Sequence, residues 1–296
     1  MNRDKLTFTL AEQMPKERGR GCGADSLYLR EGIAEAGLCA MSVLAHHESL
    51  ALLTLKPDAI VRRRSNRILT YLREEEFDIV AFATARMNRH SMREIWREDW
   101  IPFSADRLAM STLWYSFCEV PVLLLRDRSS DQVMPASARL NECKHARRES
   151  YRDRPGLREA LEPPNRFMNF VHVADDGVAA LHEAAVLLDG PARGRFLQIA
   201  AQLPLALEES AGAAELVRLL EAATLAHDLD PFLSLTRLCA DGLDGTVASN
   251  LERALIEGRR VRWQALVECT ELDRFSTRLW DVLAIAAHLI PDFEPG

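Results

Sequence analysis

The chain has 296 residues, 37 Lys plus Arg against 44 Asp plus Glu, and a formal charge of −7. Without a strong basic footprint, a general nucleic-acid binder is excluded. Hydrophobic residues make up 48% and charged residues 27%, ordinary proportions for a globular protein whose length suggests roughly two domains.

Residues 1–28 are polar, carry Pro15 and the alternating Gly19, Gly21 and Gly23, and read as an arm or loop. Their G-x-G-x-G pattern, with no strand before it and no helix after it, is weak evidence for a nucleotide loop. The recurrence of Leu29, Ile33, Ala36, Ala40 and Val43 predicts a helix over residues 29–47, weakened by Gly32 and Gly37. Leu50 to Leu55 fits a buried strand that Lys56-Pro57-Asp58 ends. A helix follows over Ile60–Glu75, then a strand over Phe77–Arg86 and a helix over Ser91–Asp99. Val120–Leu125 and Phe167–Val173 are further strands. Asp176 to Leu188 is a helix with Asp175 or Asp176 as its N-cap.

After Gly190-Pro191 only helical patterns remain, broken near Gly212, Asp230-Pro231 and Asp241 to Gly245. The last helix is expected over Asp273–Ile290. The boundaries read as 1–48 for an arm and helix, 49–190 for an α/β or α+β domain, and 191–296 for an α-helical domain. Cys22, Cys39, Cys118, Cys143, Cys239 and Cys269 form neither a C-x-x-C pair nor a zinc pattern with His. Reduced thiols, no signal-peptide core and no apolar run near ~18 residues give the expectation of a cytoplasmic protein away from membranes.

Two basic clusters, Arg62, Arg63, Arg64 and Arg67, and Lys144 to Arg158, read first as solvated surface and second as neighbours of an anionic ligand. His46-His47 and Asp241 to Gly245 lack the partners of a zinc or calcium site, and no metal ligands are assigned.

Two stretches carry the chemistry. One is a strand ending in Lys56-Pro57-Asp58-Ala59; the other is Asn169-Phe170-Val171-His172, with Glu183 eleven residues after the histidine. A neutral imidazole is a competent nucleophile near pH 7. A carboxylate on the following helix can hold one ring nitrogen as N–H and leave the other free to attack. Lys56 offers a point charge to phosphate oxygens, and arginines offer forked donors.

These motifs resemble the nucleoside diphosphate kinase family over about 140 residues, from about Leu50 to Leu188. The resemblance implies a ferredoxin-like βαββαβ α+β domain, here with an added C-terminal α-helical domain. It implies catalytic His172, Glu183 and Lys56, and nucleotide contacts from Lys56, Arg139, Arg158 and Asn169. ATP and Mg²⁺ would be used, and the partners would be a nucleotide, a small-molecule acceptor and further copies of the chain. Val173 and Ala174 replace the family's Gly and Ser after the histidine, Ile95 stands where a tyrosine is expected, and the phosphate-contacting threonine has no clear counterpart near Cys143 to His145. Arg158 lies one residue further from Asn169 than the family spacing. The resemblance therefore implies a specialised phosphotransferase, with a non-catalytic nucleotide-sensing module as the alternative.

Overall fold

The computed structural model describes residues 26–129, 134–145, 155–272 and 277–293. The expected N-terminal arm, its glycines included, lies outside them but for its last three residues, as does most of the basic stretch after Lys144.

Four strands, β1 (Leu50–Leu55), β2 (Phe77–Ala85), β3 (Val120–Asp127) and β4 (Val171–Val173), make one antiparallel sheet in the order β2-β3-β1-β4. This is the arrangement a βαββαβ chain produces, and the α+β expectation holds. β1 is central and buried along its whole length, which is why its sequence is a continuous apolar run rather than an alternation. Leu53 faces Val173, and Thr54 faces His172.

Before the sheet come α1 (Leu27–Glu35) and α2 (Ala40–Leu44). The single helix expected over 29–47 is therefore two, because Gly37 adopts a left-handed φ of +65°. Likewise the helix expected over 60–75 divides into α3 (Pro57–Val61) and α4 (Ser65–Glu74) at Arg63, where φ is +60°. The helix expected over 91–99 is α5 (Arg89–Ile95) and α6 (Arg97–Trp100), jointed at Trp96 with φ −113° and ψ 32°. The strand expected over 167–173 shortens to β4 because Phe170, at φ +71°, turns the chain out of extended geometry.

Three helices were not anticipated: α7 (Ala105–Tyr115), α8 (Ala136–His145) and the one-turn α9 (Leu157–Ala160). The helix after β4 is α10 (Gly177–Leu187), capped by Asp176, whose side chain accepts from the N–H groups of Val178 and Ala179.

Beyond α10 the described chain is helical: α11 (Gly190–Ala201), α12 (Ser210–Ala222), α13 (Pro231–Ala240), α14 (Gly245–Glu257), α15 (Trp263–Cys269) and α16 (Leu279–Leu289). Asp244 caps α14 through Thr246 and Val247, which is the role of the aspartate in the loop considered for calcium. The expected boundary at 190–191 falls at the very start of α11, yet α11 and α12 lie against β2 and one apolar core runs across it. Glu209 N–H donates to Ile79 O at 2.7 Å, His227 N–H to Val61 O at 2.9 Å, and Arg126 to the carbonyls of Leu203 and Ala206. Among the described residues no helix is long and apolar enough to cross a membrane.

Candidate active site

β4 and α10 are joined by Ala174 to Asp176, a turn short enough to bring the first turns of the helix back over the strand. Glu183 reaches His172 in this way, with its Oε2 2.9 Å from Nε2 of the imidazole. Glu183 is 5% exposed, so its carboxylate meets the ring in a largely dry setting. Gly177, at the start of α10, permits the approach: a Cβ there would lie 1.8 Å from the carbonyl oxygen of His47. The other ring nitrogen, Nδ1, accepts from the indole N–H of Trp96 at 3.2 Å. The rings of Trp96 and His172 meet edge to face, 4.9 Å apart at 87°. A carboxylate on Nε2 and an N–H donor on Nδ1 define a neutral imidazole protonated at Nε2.

Lys56 follows the central strand and is 3% exposed. Its ammonium donates to Asn169 Oδ1 at 2.5 Å and Phe167 O at 3.0 Å, and lies 4.6 Å from the Trp114 ring centroid. Burial lowers its pKa to about 7, against a raising influence from Asp58 and a further lowering by Arg158. Asp58 is fully buried, and burial raises its pKa. Its carboxylate accepts from Phe170 N–H at 2.8 Å, while Lys56 N–H donates to Phe170 O at 2.8 Å. Asp58 and the Lys56 backbone thus hold Phe170 in its left-handed conformation, and that corner delivers Asn169 to the lysine.

Arg158 donates Nη2 to Val171 O at 3.1 Å, and its buried Nε has no partner among the described residues. Burial lowers its pKa, offset by Tyr115 and Asp58. Lys56, Asn169, Arg158, His172 and Glu183 are therefore brought together around the β1–β4 end of the sheet. Arg139 is not. It is 4% exposed, grips Asp127 through Nε at 2.5 Å and Nη2 at 2.8 Å, and donates to Glu75 O at 2.7 Å. It also stacks over Phe77 at 3.9 Å. Asp127 ends β3 beside the start of β1, so this pair sits at the far end of the sheet from Lys56, and α8 turns Arg139 away from the histidine.

Sequence reasoning missed Trp96, Trp114 and Tyr115, and named Lys144 only as the start of the second basic cluster. Lys144, at the end of α8, donates to Asn141 Oδ1 at 2.5 Å, and Asn141 donates to Ala174 O at 3.1 Å. Its pKa is lowered to about 7 by burial, with further influence from Arg158, Asp175, Glu183 and Lys56. The signal for it was the phosphate-contacting position sought near Cys143 to His145, which a cation rather than a hydroxyl approaches. Trp96 stands next to Ile95, where an aromatic was expected and not found. Three of the four arginines of the first basic cluster are engaged within the protein: Arg63 on the carbonyls of Ile60 and Thr224, and Arg64 and Arg67 on Glu162.

No family model matches the chain, and no curated protein matches it. Solved structures similar to it include the nucleoside diphosphate kinase of Aquifex aeolicus, at 20% identity and a TM-score of 0.37, covering 49% of this chain and 97% of that one. A halophilic nucleoside diphosphate kinase from Halobacterium salinarum, in complex with CDP, is 17% identical at a TM-score of 0.38 over 48% of this chain and 89% of its own. An NDP kinase from Pyrobaculum aerophilum is 16% identical at 0.34, over 49% and 97%.

Proposed function

We propose that the chain is a phosphotransferase of nucleoside diphosphate kinase type, which carries the γ-phosphoryl group of ATP on His172 to a nucleoside diphosphate or a specialised small-molecule acceptor. The observation that carries this reading is the 2.9 Å contact between Glu183 and His172 Nε2, which favours the tautomer protonated at Nε2 and leaves the lone pair on Nδ1. In the transfer an Nδ1–P bond forms as the bond from phosphorus to the ADP oxygen breaks, and ADP leaves with that electron pair. An acceptor oxygen then attacks phosphorus, the N–P bond breaks, and the imidazole is restored. Glu183 stabilises the ring as positive charge develops on it. Lys56, Arg158 and Lys144 neutralise phosphate oxygens, and Asn169 orients Lys56.

Mg²⁺ would arrive with the nucleotide. Among the described residues no group of three or more His, Cys, Asp or Glu side chains could hold a metal, and Mg²⁺ is commonly held chiefly by substrate phosphates. The buried Nε of Arg158, without a partner among the described residues, suits an incoming anion. Cys39, Cys118, Cys239 and Cys269 are free thiols, in keeping with a cytoplasmic setting. Homo-oligomerisation belongs to the same reading.

A second reading, a non-catalytic nucleotide-sensing module, is favoured by one arrangement. Lys56 already spends its charge on Asn169, Phe167 and Trp114, as a purely structural lysine would. Incubation with γ-labelled ATP and Mg²⁺, followed by mass analysis of the peptide containing His172, separates the two.

A further inference from the structure

Trp96 occupies the joint between two short helices and is 7% exposed. Its indole N–H meets His172 Nδ1, the nitrogen left with a lone pair once Glu183 holds Nε2. That lone pair cannot attack phosphorus while it accepts a hydrogen bond, and the indole lies along its direction. Trp96 also stacks on Trp100 at 5.2 Å and packs on Tyr115 at 4.9 Å. Tyr115 in turn lies 4.4 Å from Trp114, the ring beneath the Lys56 ammonium. One run of aromatic contacts therefore joins the capped nucleophile to the engaged lysine.

We propose that Trp96 is a latch on His172, released when a nucleotide enters between the α5–α6 joint and β4. This rests on the reading of His172 as the phosphoryl carrier. The latch is weak enough to open: a neutral hydrogen bond contributes only about 1 kcal/mol net, well within what a bound nucleotide triphosphate supplies. The joint at Trp96 already breaks helical geometry, so the side chain can swing through small changes in two backbone angles without unfolding either helix. The device makes the nucleophile inert to stray electrophiles until the donor is in place. It also gives specificity, because a molecule too small to displace the indole cannot draw the phosphoryl reaction.

The test uses the full-length protein as wild type, Trp96→Phe and His172→Ala. Phenylalanine keeps an aromatic ring and removes the donor. Each protein is treated with diethyl pyrocarbonate in the absence of nucleotide, and modification of His172 is followed by peptide mass. The latch predicts that Trp96→Phe is modified about three- to tenfold faster, the scale of one neutral hydrogen bond. In nuclear magnetic resonance spectra of the wild type, the Trp96 indole N–H should be protected from exchange. That protection should be lost in His172→Ala and on adding a non-hydrolysable ATP analogue.

Equal modification rates in wild type and Trp96→Phe, or an indole N–H that exchanges freely in the nucleotide-free wild type, would overturn the latch. If Trp96→Phe fails to fold, the exchange measurement on His172→Ala decides alone. Phosphorylation by ATP with no rate difference removes the latch and leaves the transferase. Faster modification with no phosphorylation of either protein removes the transferase and leaves the contact.

Discussion

Glu183 and His172 are joined at 2.9 Å across the gap between α10 and β4, and the carboxylate is the more deeply buried of the two. Its position depends on where α10 begins, and α10 begins on a glycine packed against the backbone of His47.

Glu183→Gln replaces the acceptor of the Nε2 proton with an amide. The expected outcome is a fold left intact and His172 phosphorylation slowed about ten- to a hundredfold, or about 1.4–2.8 kcal/mol of barrier. Stopped-flow labelling beside a thermal melt measures both. Unchanged labelling with a stable fold would remove Glu183 from the mechanism.

Gly177→Ala forces a Cβ into the carbonyl of His47. Displacement of α10 is expected to cost about 1–3 kcal/mol of stability, the usual scale of overpacking, and to loosen Glu183 from His172. Chemical denaturation gives the first quantity and the imidazole nitrogen shifts of His172 the second. A neutral effect on both would show that the helix start can give way.

Lys56 and Lys144 both have folded pKa values lowered to about 7 by burial, below the unfolded value near 10.4. Between those values the unfolded chain binds more protons, so stability is expected to rise as pH increases from about 7 towards 10. Asp58, raised by burial, acts oppositely above the ordinary carboxylate range. Lys144→Met, which keeps the apolar stem, should flatten the rise. Melting midpoints from pH 6 to 9 test it, and a wild type that loses stability over that range would contradict the assignment. The same groups predict that kcat/KM falls as pH rises through about 7, because the free protein then loses the phosphate-binding charge.

Residues 1–190 alone are expected not to fold as a soluble monomer. Their removal from α11 and α12 exposes the flank of β2, leaves Ile79 O without the Glu209 N–H and strips Arg126 Nη1 of the Leu203 and Ala206 carbonyls. Gly212, closest to the Phe82 ring, marks how tightly α12 lies on the sheet. A well-dispersed amide spectrum of the truncated chain would show that the boundary at 190 is a true domain edge.

The strands were legible because they are apolar runs with sharp ends, such as Leu50 to Leu55 before Lys56-Pro57, whereas the order of the sheet came only from what the family resemblance implied. The dyad was legible because a fixed spacing of eleven residues on a strand–turn–helix unit leaves few geometries. Breaks at Arg63, Trp96 and Phe170 were not legible, since tertiary contacts hold non-glycine residues in conformations that local preference disfavours. Arg139 misled because residue type and approximate position cannot say which face of α8 meets the sheet end; Asp127, eight residues along β3, decides that. Trp96 escaped notice because a one-residue offset from Ile95 reverses which side chain points inward at a helix joint.

The central claim is that His172 carries the phosphoryl group. Full-length protein incubated with γ-labelled ATP and Mg²⁺, then digested and sequenced by mass, should carry one acid-labile, base-stable phosphate on His172, absent in His172→Ala and returned to ATP by added ADP. No label on the wild type, or equal label on His172→Ala, would contradict it.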